Sequence, residues 1–181
     1  EGKISKFSLS GNFMKSFDVE LDMRSIMYNP ADEHFYVACY DNNIYMITDL
    51  ESGAYKLVFS KLYSNEQASL ALGPKGKYLY CLDEGMLKVY DFASGSVDET
   101  YYGFKCGSEL GTGNASVAVS KKYIITTDAG EKVFYVYDKK GNLKETIYYA
   151  DGDYGFSLSY ANGHIFMATD GNYGMGKWYG Y

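Results

Sequence analysis

A serine that opens a short apolar run recurs along this chain every 41 to 47 residues, at Ser25, Ser69, Ser116 and Ser157. It follows Arg24, Ala68, Ala115 and Phe156. After each run comes a turn, then a second apolar run that stops at an aspartate: Asp41, Asp83, Asp128 and Asp170. A third run ends at Asp49, Asp91 and Asp138, each followed by a Gly-bearing turn. Self-similarity at a fixed period dictates that neighbouring units stack, because one such unit cannot bury its apolar faces alone.

Four strand-like runs within a period of about 40 to 50 residues predict an all-β fold, a β-propeller of four-stranded antiparallel blades. The third unit sets the pattern. Strand a runs from Ala115 to Ser120, strand b from Tyr123 to Thr127, strand c from Lys132 to Tyr137 and strand d from Leu143 to Tyr149. The connections carry Asp, Gly, Asn and Ser, as hairpins require. Strand b is apolar on both faces, as in Phe35-Tyr36-Val37-Ala38-Cys39, so both faces must be covered. Strand d mixes charge with apolar residues, as in Leu143-Lys144-Glu145-Thr146-Ile147, and suits an outer edge where charge discourages pairing with another chain.

The 181 residues read as a single domain, with repeat units at roughly 1–20, 21–61, 62–104, 105–150 and 151–181. The chain opens on strands c and d and closes on strands a and b with a tail. Two arrangements are compatible with that order. The ends join into one blade of a four-bladed ring, or the chain is part of a six- to eight-bladed ring, with the tail around Trp178 as strand c of a fifth unit.

Tyr occurs 21 times and Phe 10 times, residues that suit a pleated, half-buried surface. No run approaches the 18 apolar residues of a transmembrane helix. The net charge is −6 and no basic cluster stands in the sequence, so nucleic acid is a poor partner. Cys39 and Cys81 occupy equivalent places in neighbouring units, where the next two units have Thr126 and Ala168. The position calls for a small buried residue, and equivalent strands of adjacent blades sit too far apart for a disulfide.

The segment from Val37 to Asp49 (VACYDNNIYMITD) resembles the repeat of the YVTN family. The segment from Ile124 to Asp138 (IITTDAGEKVFYVYD) is similar in the same way and also resembles NHL-type repeats, within the broader quinoprotein-like group. The WD signature of WD repeats and the tryptophan docking motifs of quinoprotein dehydrogenases are absent. The resemblance implies the propeller fold and an extracytoplasmic binding or scaffold protein, whether secreted, periplasmic or on the cell surface.

The repeat assigns polar residues to faces. Loops joining strands b to c and d to a build one face, where propellers hold ligands, and the a–b and c–d turns build the other. His34 and His164 fall in a–b turns, away from the ligand face, which argues against a His-centred triad or His-ligated metal. The repeated serines have no base beside them in the pattern. The aspartates ending strand b bond turn N–H groups in the simplest reading.

Two nearly identical pentapeptides fall on the ligand face: Asp151-Gly152-Asp153-Tyr154-Gly155 in a d–a loop and Asp170-Gly171-Asn172-Tyr173-Gly174 in a b–c loop. Tyrosines beside Asp and Asn grip a sugar or peptide by stacking and hydrogen bonding. The longest loop, Tyr101 to Asn114, adds Tyr102. The expected ligand site is therefore Tyr102, Asp151, Asp153, Tyr154, Asp170, Asn172 and Tyr173. The expected function is non-catalytic recognition of a protein, peptide or glycan, without a cofactor, and with further blades or self-association as additional partners. The alternative is a hydrolase or lyase using face carboxylates around a bound calcium.

Overall fold

The computed structural model describes residues 2–8, 10–64, 68–83, 85–102, 104, 115–128, 131–149, 155–169 and 177–181. Every regular element among them is a strand. β1 (Gly2–Phe7) and β2 (Phe13–Val19) form a two-stranded sheet. Four blades follow. The first holds β3 (Met23–Asn29), β4 (His34–Cys39), β5 (Ile44–Asp49) and β6 (Ala54–Phe59), hydrogen-bonded in that order. The second holds β7 (Ser69–Leu72), β8 (Tyr78–Asp83), β9 (Met86–Asp91) and β10 (Val97–Tyr101). The third holds β11 (Ala115–Val119), β12 (Tyr123–Asp128), β13 (Val133–Asp138) and β14 (Leu143–Tyr148). The fourth holds β15 (Gly155–Ala161), β16 (His164–Thr169) and β17 (Trp178–Gly180).

All pairings within the sheets are antiparallel. The first strands of successive blades, β3, β7, β11 and β15, are spatial neighbours, which makes the assembly a β-propeller. The edge of β16 is taken by β17, through Phe166↔Gly180, Met167↔Tyr179 and Ala168↔Trp178. β1 and β2 stay in their own sheet. The tail is thus the third strand of the fourth blade.

The core is a stack of layers, one between each pair of neighbouring sheets. Side chains alternate across a strand, so each second strand feeds two layers. Val37 and Cys39 pack toward β1–β2 with Val19 and Ile47. Tyr36 and Ala38 pack toward the second blade and meet Leu79 and Cys81. Tyr80 and Leu82 face the third blade and meet Val117, Ile124 and Val133. Ile125 turns to the fourth blade and meets Phe134 and Met167. This is why strand b reads apolar on both faces. The outer strands β6, β10 and β14 stay mostly exposed, as their mixed sequences require.

Cys39 and Cys81 are free, buried and in different layers. Burial, with Asp41 and Asp22 beside Cys39 and Asp83 beside Cys81, pushes both thiols up to about 12.

Candidate functional site

The loop face is built from turn aspartates outward. Asp41 stands in the turn just after β4 and accepts the N–H of Asn43 at 3.1 Å, closing the turn to β5. Its other oxygen accepts the Asn43 amide and the Tyr45 hydroxyl, each at 2.7 Å. Lys61, in the connection from β6 to β7, donates to the Asp41 carbonyl at 2.6 Å. Burial works against a charge on Asp41, but the bonds from Tyr45 and Asn43 and the charge of Lys61 outweigh it and hold the carboxyl below its ordinary value. Asp128 plays the same turn role, accepting the N–H of Glu131 at 3.1 Å.

Asp83 departs from that role. It is 1% exposed, and one oxygen accepts both the N–H and the hydroxyl of Ser64, at 3.1 and 2.5 Å. It thereby ties the loop leaving the first blade to the end of a strand in the second. Tyr63 donates to the Cys39 carbonyl at 2.8 Å, and Tyr90 donates to the Leu62 carbonyl at 2.9 Å. The loop from Ser60 to Ser64 is thus held from both blades. The second oxygen of Asp83 and the Asn42 side-chain oxygen are buried without a partner. Calcium takes about six to eight oxygens. Among the described residues no group of three or more His, Cys, Asp or Glu side chains is placed to hold a metal, so these two oxygens do not make a calcium site by themselves.

Of the seven expected site residues, Tyr102 is described, and it is 76% exposed. Phe104, two residues on, is buried against Tyr137 with ring centroids 4.2 Å apart, and its N–H donates to the Gly85 carbonyl at 3.2 Å. Phe104 anchors the start of the long loop while Tyr102 stands in solvent. Asp151, Asp153, Tyr154, Asp170, Asn172 and Tyr173 lie outside the described residues, as does Cys106.

One surface pair on this face was not singled out from sequence. The Arg24 guanidinium lies over the Tyr40 ring, 4.8 Å from its centroid, and Tyr40 is 53% exposed. The signal was the aromatic residue before Asp41, where the other units have Leu82, Thr127 and Thr169. His34 and His164 begin β4 and β16, on the turn side opposite to this face.

A groove of about 630 Å³ runs along β1 beside β3, lined by Ile4, Phe17, Met23, Ile26, Phe35 and Leu50. It lies where the two-stranded sheet has no inner strands, so it is a gap in the blade stack. A smaller depression of about 230 Å³ lies among the a–b and c–d turns of the second and third blades.

No protein-family model matches the chain, and no curated protein matches it. Solved structures do. Virginiamycin B lyase from Staphylococcus aureus superposes with TM-score 0.57 at 12% identity, over 92% of this chain and 56% of that one. Myxococcus xanthus glutaminyl cyclase gives 0.58 at 14%, over 82% and 62%. Kuenenia stuttgartiensis hydrazine synthase gives 0.55 at 14%, over 84% and 44%. The chain spans about half the length of these proteins. At such identities the likeness concerns architecture alone. The layered blades and these superpositions together make the chain a β-propeller repeat protein.

Proposed function

We propose that this chain is a non-catalytic binding or scaffold propeller, of the YVTN- and NHL-like kind, that recognises a protein, peptide or glycan on its b–c/d–a loop face in an extracytoplasmic setting. The observation that carries this reading is the contrast between braced loops and exposed aromatics on one face. Asp41, Lys61, Ser64 and Asp83 hold the loop backbone, while Tyr102 and the Arg24–Tyr40 pair present flat, exposed surface. Rigid loops lose little entropy on binding, and tyrosine offers contact area with few rotatable bonds. The pentapeptides around Tyr154 and Tyr173 extend the same face by sequence.

The test is a glycan and peptide array probed with the native chain and with a Tyr102→Ala/Tyr154→Ala/Tyr173→Ala variant. Discrete signals that the variant loses, with an unchanged thermal melt, support the reading. Signals that the variant retains, or no signal above background, overturn it.

A further inference from the structure

In a chain of net charge −6, four lysines converge on one small depression. It lies on the face opposite to the loop site. Lys75 and Lys77 come from the turn between β7 and β8, Lys121 from the turn after β11 and Lys139 from the turn after β13. Tyr78 and Tyr80, with Gly73 and Pro74, form the rest of the wall. None of the four lysines makes an ion pair among the described residues.

Lys139 is the innermost of them. Its ammonium lies 4.5 Å from the Tyr80 ring centroid and donates to the Tyr80 hydroxyl at 3.4 Å. The Tyr101 hydroxyl donates to the Lys139 carbonyl at 2.7 Å and fixes that backbone. Burial alone pulls the Lys139 amine down to about 8. Asp98 and Glu99 on β10 are close enough to act on the Tyr80 phenol, and Asp91 and Asp98 on Lys77, without pairing with any of the four. A half-buried ammonium whose company is a ring and a phenol, in a depression lined by three further lysines, is a site short of a counter-anion.

We propose that this depression binds a small, multiply charged oxyanion of the phosphate class, free in solution. The volume of about 230 Å³ lies below the ~300–1,000 Å³ range of drug-sized pockets, so the ligand is small. Several ammonium groups from three separate turns suit an anion with several oxygens, and Lys supplies point charges rather than a planar fork. The site is independent of the loop-face reading, since it uses other residues on the other side of the ring.

The test uses pyrophosphate and inorganic phosphate as probes, by titration calorimetry at constant ionic strength held with sodium chloride. One saturable site is expected for pyrophosphate, with weaker binding of inorganic phosphate. Lys139→Met, which keeps an unbranched apolar stem on Tyr80, and Lys121→Ala should each weaken pyrophosphate roughly tenfold or more, as loss of a charged donor does. Lys56→Ala, on the exposed outer strand β6, should change it by less than about twofold. In parallel, an amine-acylating reagent near pH 8 should label Lys139 faster than the exposed lysines, and pyrophosphate should protect it. Thermal melts identify any variant that fails to fold; if Lys139→Met is one, Lys121→Ala and the protection experiment decide. Non-saturating heat, equal weakening by Lys56→Ala, or labelling of Lys139 unaffected by pyrophosphate overturns the proposal.

Discussion

Ser116 Oγ accepts the backbone N–H of Leu158 at 2.8 Å, across the junction between the third and fourth blades. One blade earlier, Ser69 Oγ accepts the N–H of Val117 at 3.0 Å and lies 3.3 Å from Ser116 Oγ. Ser69 and Ser116 are therefore directional latches, each satisfying a backbone donor on the inner strand of the next blade. Ser25 breaks the series, since its hydroxyl is buried without a partner. No catalytic base is needed to explain why the residue recurs.

Replacing Ser116 by Ala leaves the Leu158 N–H without its acceptor. Ser116 is 3% exposed, so the loss of a buried bond should cost about 1–3 kcal/mol. Ser25→Ala removes a hydroxyl that has no partner and should cost less. Urea melts of the two variants check the order; an equal or larger loss for Ser25→Ala would contradict the latch.

Glycine in the c–d turn answers a second contact between blades. Gly141 has φ +80°, and a Cβ there would stand 2.7 Å from Tyr101 Cδ1 on the outer strand of the preceding blade. Gly141→Ala combines a strained backbone with a clash and should destabilise by about 1–3 kcal/mol. Gly11, also at positive φ but with open space around it, should show the smaller backbone cost alone. Paired thermal melts measure the difference.

The two core thiols should be silent in the folded chain. In a Cys106→Ser background, a disulfide reagent at pH 8 should titrate no thiol until denaturant is added, and then two, because Cys39 and Cys81 are buried with thiols near 12. Fast reaction of either in the native state would place it outside its core layer.

Stability should fall at both ends of the pH scale, for opposite reasons. Asp41, Asp49, Asp91 and Asp138 all titrate below the ordinary 3.8 in the folded chain, since turn N–H groups, hydroxyls and amides hold their charge. The unfolded chain then binds protons more readily, so this stabilisation is present above the ordinary value and is lost as pH drops through the folded ones. Cys39 and Cys81 are raised from 9.0 to about 12. The folded chain holds those protons longer, so that contribution is complete below pH 9 and disappears as pH climbs toward 12. Asp138→Asn should reduce the acid-side loss. Melting temperatures across the pH range, with and without that change, test the signs.

Much of this architecture was legible in the residues. The strand a–d pattern read from Ala115 to Tyr149 differs from the observed strands by a residue at most boundaries, because apolar alternation and Asp/Gly turns are local properties. The same locality explains why Asp41 and Asp128 were readable as turn formers. The proposed loop site was less legible. Tyr102, placed on the long loop from sequence, is exposed, whereas the Arg24–Tyr40 pair joins the start of β3 to the turn after β4 and leaves no repeat signature.

The sequence by itself determined the unit: its period, its four strands, and a second strand covered on both sides. Tertiary packing decided everything that depends on one blade meeting another. It set β17 rather than β1 on the edge of β16, turned Ser69 and Ser116 into acceptors for their neighbours, and made Asp83 a tie from the end of β8 to the preceding loop instead of a turn former. It also gathered Lys75, Lys77, Lys121 and Lys139 into one depression from turns far apart in the chain. The reason is range. Hydrogen-bond ladders and alternation act between residues a few positions apart, whereas inter-blade contacts depend on how sheets stack, and no short stretch of sequence carries that geometry.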